Sequence, residues 1–153
     1  MQRGALKVIV AKYGVEKAKI VEQIYRCETA HFASEQYRHT ETGGMEAFGL
    51  PPYYGWDTSF FLQFSHYQPI GIWDAFENQG LSDVGGNAQS KNKKKFVVMP
   101  SVLAGMEYKI YYINKHNGNW ARWHSTQPQA QEQYKKLVNS VRPRFVEAII
   151  KGQ

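Results

Sequence analysis

"IYRCETAHFASEQYRHTETGGMEAFG", Ile24 to Gly49, is the stretch on which the reading of this chain turns. Up to Glu28 it reads as the end of a helix: Ala18, Val21, Ile24, Tyr25 and Glu28 recur at three- and four-residue steps and so share one face. After Glu28 the pattern stops. Hydroxyls, histidines and carboxylates follow, then the pair Gly43-Gly44 and an apolar continuation. An acid at the end of an apolar stripe needs a reason. Desolvation there disfavours the carboxylate and raises its pKa, and a carboxyl that keeps its proton near neutral pH can act as a general acid. The plain alternative is a Glu that turns outward at a frayed helix end, or one that pairs with Arg26 or a lysine.

Outward from this stretch the pattern is mostly helical. The spacing predicts a helix over Val15–Glu28 that ends around Cys27–Thr29. Before it, Ala5, Leu6, Ile9, Val10 and Tyr13 follow helical steps and Gly14 suits a stop, with a strand through Leu6–Val10 as the competing reading. Residues 40–100 hold Gly43-Gly44, Pro51-Pro52, Gly55, Gly71, Gly80 and Gly85-Gly86, which reads as loops, short helices and a small hairpin. SKNKKK, Ser90 to Lys95, reads as a solvated loop or a basic contact patch. Helices return after Pro100, where Val102, Met106, Ile110 and Ile113 share a face. A last helical region over Gln129–Lys151 carries the stripe Tyr134, Leu137, Val138 and Val141, and Pro143 must break it, kink it or begin a new helix. With no repeat and no linker, the expectation is one mainly α (α+β) domain over 1–153, a helical lobe and a small irregular or hairpin lobe with a cleft between them.

The chain has 153 residues and a formal net charge of +6, which favours polyanionic partners: nucleic acid, anionic membrane or bacterial cell wall. A single cysteine, Cys27, excludes an internal disulfide. No apolar run approaches the ~18 residues of a membrane span, and no export signal is seen, so stable membrane insertion is not expected. Aromatic residues make up 14% of the chain, more than a core of this size uses, and their faces suit sugars and bases alike. His31, His39 and His66 could join Asp57 or Glu41 around zinc, but no HExxH or paired CxxC accompanies them, so neither metal nor cofactor is expected. Cys27 near His31 could be a nucleophile; a plain buried thiol is the simpler reading.

Glu28-Thr29, Phe32 and Ser34, followed by Gly44-Met45 and Phe48-Gly49, resemble the active-site signature of the lysozyme-like superfamily, above all of lytic transglycosylases and goose-type lysozymes. "NGNWARWHSTQP", Asn117 to Pro128, with Tyr134 beyond it, resembles the closing segment of phage and bacterial members. Glu46 stands where the transglycosylase pattern has glutamine. The resemblance implies a lysozyme-like fold and an endolysin-type muramidase. Such an enzyme cleaves the β-1,4 bond between N-acetylmuramic acid and N-acetylglucosamine in peptidoglycan, with Glu28 as general acid. It implies a monomer made in the host cytoplasm and released through a holin-type pore-forming partner. A second carboxylate would activate water: Glu41 is the first choice, then Asp57 and Glu46. A transglycosylase needs none, because the sugar's own hydroxyl attacks. Thr40, Met45, Tyr53, Tyr54 and Trp56 are the candidate substrate contacts, the loop aromatics by stacking on sugar rings or, equally, as a small core. Trp120 and Trp123 read as fold-closing residues. The rival from another class is a non-catalytic basic module that binds glycan or nucleic acid through Lys91–Lys95 and the loop aromatics.

Overall fold

The computed structural model describes residues 1–75 and 95–152, and it is mainly helical with one small sheet. Helices α1 (Gln2–Tyr13) and α2 (Val15–Glu28) meet at Gly14. Gly14 takes φ 95°, a left-handed value that side chains disfavour, and its N–H closes α1 on the Val10 carbonyl. Leu6–Val10 is thus helical and not a strand. Helix α3 (Glu35–Thr40) starts at Ser34, whose hydroxyl accepts the Tyr37 N–H. Helix α4 (Thr58–Gln63) carries Phe60 and Phe61 into the interior, and a short 3₁₀ turn follows at Ser65–Tyr67. Strands β1 (Gly71–Asp74) and β2 (Lys95–Val98) pair antiparallel, with Trp73 opposite Phe96. Helix α5 (Val102–Lys115) is capped by the Ser101 hydroxyl. A 3₁₀ turn at Trp120–Trp123 leads into α6 (Pro128–Asn139) and α7 (Arg144–Ile150). Pro143 resolves as a break, standing at the N-cap of α7.

Helix α5 is the axis of the fold. Met106 and Ile110 enter one cluster with Leu6, Ile9, Val21, Ile24, Tyr25 and Val138. Ala104 and Tyr108 enter another with Met45, Phe60, Phe61, Val97 and Met99. A helix used on both sides has no polar face left, and so Glu107 and Lys109 are buried with their apolar neighbours. Gly105 sets how closely α5 crosses the turn after α3. A Cβ there would stand 2.7 Å from both the Glu41 carbonyl oxygen and the Tyr25 hydroxyl, so no side chain fits.

The two carboxylates of α2 do not sit as the stripe suggests. Glu28 is exposed, and the buried acid of the helix is Glu22. Its Oε1 accepts the Val146 N–H at 2.8 Å, and its Oε2 accepts the Phe145 N–H at 2.9 Å and Arg26 Nε at 2.7 Å. These are first-turn donors of α7, whose own cap, Pro143, has no side-chain acceptor to offer them. Arg26 lies under the Phe32 and Phe145 rings, 5.2 and 4.7 Å from their centroids. It pairs with Glu22 and not, as one reading of the sequence allows, with Glu28.

Replacing Glu22 with Leu would strand Arg26 without its counter-ion and remove the acceptor of two backbone donors. The expected loss in a chemical denaturation experiment is ~3–5 kcal/mol. A loss under ~1 kcal/mol would mean that α7 docks without the carboxylate.

Candidate functional site

Glu28 is the last residue of α2, and its carboxylate faces solvent. Thr29 turns the chain away from the helix axis: its hydroxyl donates to the Tyr25 carbonyl and accepts the Phe32 N–H. Ala30, His31 and Phe32 then run through left-handed φ values of 50, 58 and 70°, a costly path for three residues with side chains. Glu28 stands immediately before this turn. The Tyr134 hydroxyl, from α6, donates to Glu28 Oε1 at 2.8 Å. Burial, helped by the neighbouring Glu28 charge, pushes the Tyr134 phenol far above its ordinary value, so it remains a donor. His124 stacks flat on Tyr134, with ring centroids 4.4 Å apart and planes within 1°.

A depression of about 260 Å³ lies between α5, the Trp120–Trp123 turn and the segment before α4, bounded by Gly44, Glu46, Phe48, Trp56, Tyr112 and Trp123. It shares Phe48, Trp56 and Tyr112 with a second of about 480 Å³ that reaches Asp57, Tyr111 and Lys115. Trp56 is held by its indole N–H on the Glu46 carbonyl at 2.9 Å, and it stacks on Trp123 with centroids 5.6 Å apart. Phe48 is 68% exposed and covers Gly55, where a Cβ would come within 2.5 Å of the ring. The result is a groove walled by aromatic faces and lined also by Glu46 and Asp57.

Lys109 lies against Trp123, one of the groove walls. It is fully buried, its Nζ sits 3.1 Å from the Trp123 ring centroid, and it makes no hydrogen bond to a described residue. The Tyr25 ring is 5.7 Å away, and a Cβ on Gly43 would touch its Nζ at 3.6 Å. Burial pushes the amine well below its ordinary value, and the Glu28 charge pulls it back.

The structure sorts the residues singled out in the sequence. Trp56 lines the groove. Thr40 and Met45 are corrected as substrate contacts: Thr40 is buried with its hydroxyl on the Gln36 carbonyl, and Met45 is in the second core cluster. Tyr53 stacks on Phe61 with centroids 4.6 Å apart, and Tyr54 packs on the same cluster; both are half-buried against the small core and neither lines the groove. Glu41 caps α3 at φ 65° and lines a separate cavity with Met1, Phe32, Tyr37 and Arg38. Burial raises its pKa and the amino-terminal charge opposes. Its carboxylate therefore joins neither Glu28 nor the groove. Asp57 does reach the groove, but it is engaged by the Ser59 N–H at 2.9 Å, the Tyr111 hydroxyl at 2.9 Å and Lys115 at 2.6 Å. Partial burial pushes its pKa up, and these partners outweigh it and hold the carboxyl below its ordinary value. His31 meets Arg26, His39 stacks on Trp73 and His66 lies against Tyr67, so the three are scattered, and no group of three metal-ligand side chains gathers among the described residues. Cys27 is half-buried, and burial and the Glu28 charge push its thiol up. Of SKNKKK, all but the exposed Lys95 lies outside the described residues.

Three members of the site escape sequence reading: Tyr134 as the partner of Glu28, Trp123 as a groove wall and Lys109 behind it. Lys109 had a signal, since Tyr108, Ile110, Tyr111 and Tyr112 surround it on a helix with little polar face. Compared with known proteins, the chain matches no family model, no curated protein and no solved structure. The likeness to lysozyme-like enzymes is therefore carried by the residues alone.

The lowered Asp57 pKa has a measurable consequence. A carboxyl whose folded pKa is depressed stabilises the protein above its unfolded pKa, and that contribution fades as pH falls through the folded value. Asp57→Asn should lower the thermal midpoint near neutral pH and match the wild type in strong acid. A gap that persists unchanged into strong acid would mean that the loss does not come from the carboxylate's charge.

Proposed function

We propose that the protein cleaves a bacterial cell-wall glycan, at the β-1,4 bond between N-acetylmuramic acid and N-acetylglucosamine, with Glu28 as the proton donor. The observation that carries this is an acid held by Tyr134 beside a strained turn, in a protein that also has a groove walled by aromatic faces. Flat aromatic faces suit sugar rings. In the free protein Glu28 meets water; a glycan laid across it would displace that water and favour the protonated acid. Glu28 then gives its proton to the leaving glycosidic oxygen, and the carbon–oxygen bond breaks through an oxocarbenium-like state.

With Glu41 turned to another cavity and Asp57 held by three donors, the transglycosylase form of the reaction is favoured. In it a hydroxyl of the cleaved sugar attacks its own anomeric carbon, its proton passes to Glu28, and an anhydro end forms. A hydrolytic route is the second reading, motivated by Glu46 at the groove wall, whose carboxylate would activate water. The net charge of +6 supports attraction to anionic wall polymers, as expected of an endolysin reaching its target.

Glu28→Gln should fold normally and lose on the order of 10²–10⁴-fold in turnover on purified peptidoglycan; wild-type clearing by this variant would refute Glu28 as the acid. Mass spectrometry of the products separates the routes, because an anhydro end is one water lighter than a reducing end. If Glu46→Gln stops formation of reducing ends, the hydrolytic reading takes over. Trp123→Ala and Trp56→Ala should raise KM roughly tenfold or more for loss of a stacking face, with kcat less affected. An unchanged KM in both would remove the groove from the glycan path.

A further inference from the structure

We propose that the rim of the aromatic groove at the end of α5 is an anion subsite: Arg122 and Lys115, gathered about Tyr112, take a carboxylate carried on the lactyl-peptide arm of the glycan's muramoyl unit. The choice of substrate rests on the glycan reading; the anion subsite itself is read from the groove's geometry.

Arg122 is half-buried next to Trp123, a groove wall, yet no described carboxylate pairs with it. What holds it is a neutral clasp. The Tyr112 hydroxyl accepts from its Nη1 at 3.1 Å and donates to its carbonyl at 3.2 Å. A guanidinium presents a fixed fork of N–H donors, and one phenol oxygen leaves most of that fork unused. Tyr112 lines both depressions, so the guanidinium stands at the hydroxyl end of a groove wall. Lys115 and His116 follow Tyr112 by three and four residues, which brings them to its face of the α5 end. Lys115 lines the larger depression, and His116 packs on the Tyr112 ring with centroids 4.5 Å apart. Burial pushes His116 towards its neutral form, and the Arg122 and Lys115 charges push the same way. Two cations thus gather at one aromatic wall. Asp57 answers Lys115 at 2.6 Å and leaves Arg122 unanswered.

A carboxylate is the anion whose two oxygens match the guanidinium fork, and its charge-assisted bonds are ones a neutral sugar does not offer. In the alternating glycan only the muramoyl unit bears such a group, at the end of its lactyl arm or on the peptide attached there. A sugar stacked on Trp56 or Trp123 would lie beside Tyr112, with the arm within reach of the rim. Anchoring that arm fixes which of the two sugars takes which part of the groove. The subsite therefore sets the register of the chain, which stacking alone leaves free because both rings have similar faces.

The test reads binding apart from cleavage. Calorimetric titration of the full chain carrying Glu28→Gln, which removes turnover, would use three tetrasaccharides: an N-acetylglucosamine oligomer without carboxyl groups, the alternating glycan with free lactyl carboxyls, and the same glycan bearing its peptides. A carboxyl-bearing glycan should bind about tenfold or more tighter than the neutral oligomer. Arg122→Gln and Lys115→Gln should each reduce that preference and leave the Kd of the neutral oligomer unchanged. Arg122→Lys, which keeps the charge and loses the fork, should retain part of it. A gain already present with free lactyl carboxyls assigns the lactyl group, and a gain only with peptides assigns the peptide; either upholds the subsite. A preference of the same size in the parent and in both Gln variants overturns it. So does an equal loss on the neutral oligomer, which would make Arg122 a brace for Tyr112 and nothing more. Cleavage by the wild type is scored separately on peptidoglycan. Cleavage without an Arg122-dependent preference sinks the subsite and spares the glycan reading, whereas the preference in a protein that cuts nothing keeps the subsite and refutes Glu28 as the acid.

Discussion

The contact on which the rest of the structure depends is the one between Glu22 and the first turn of α7. A single buried carboxylate meets two backbone N–H groups and the Arg26 guanidinium. Each of these groups would be costly if buried alone. Together they lock α7 onto α2, with Arg26 packed against both the Phe32 and Phe145 rings. The locked helix then has one defined end, and Glu28 is at that end. The carboxylate offered to solvent is thus placed by the one withheld from it.

Helix α5 repeats the theme. It touches both apolar clusters, and its two charged residues are resolved differently. Glu107 reaches Lys12 at 2.7 Å, a pair whose lysine remains half-exposed. Lys109 finds an aromatic face and no acceptor. A fold selected for stability alone would have little use for the second arrangement, and sites of function are where local rules are broken at a cost compensated elsewhere. The close crossing at Gly105 keeps this helix against the turn that leads into Gly43 and Gly44, so the amine and the groove share one frame.

How much of this was legible follows from the physics of each signal. Periodicity marked α1, α2, α5 and α6 because apolar steps of three and four survive in sequence wherever a helix has one buried side. Gly14 and Pro143 marked the breaks because their backbones leave few alternatives. The middle stretch was read as irregular with a small hairpin, and the described part of it is two short antiparallel strands beside two short helical pieces. Glu28 was placed on the buried stripe because the rule sees angular position and not where the helix stops; one turn earlier its side chain would have been covered. Glu22 was overlooked because its partners are backbone N–H groups, which no residue type announces. Thr40, Met45, Tyr53 and Tyr54 looked like contacts from composition, and packing against Phe60 and Phe61 claimed Met45, Tyr53 and Tyr54 first. Tyr134 and Glu28 are joined by a fold-level contact, far apart along the chain.

The tie between Glu22 and α7 also bears on how the molecule assembles. Helix α7 has seven residues, too few to persist in isolation. Its nucleating acceptor is on α2, almost the whole chain away, and must already be presented by a formed helix. Closing so long a loop is entropically slow, and contacts of this kind lower the folding rate. The Phe145 and Val146 amides, bound by the Glu22 carboxylate, would report through their hydrogen exchange on the opening of this one tie.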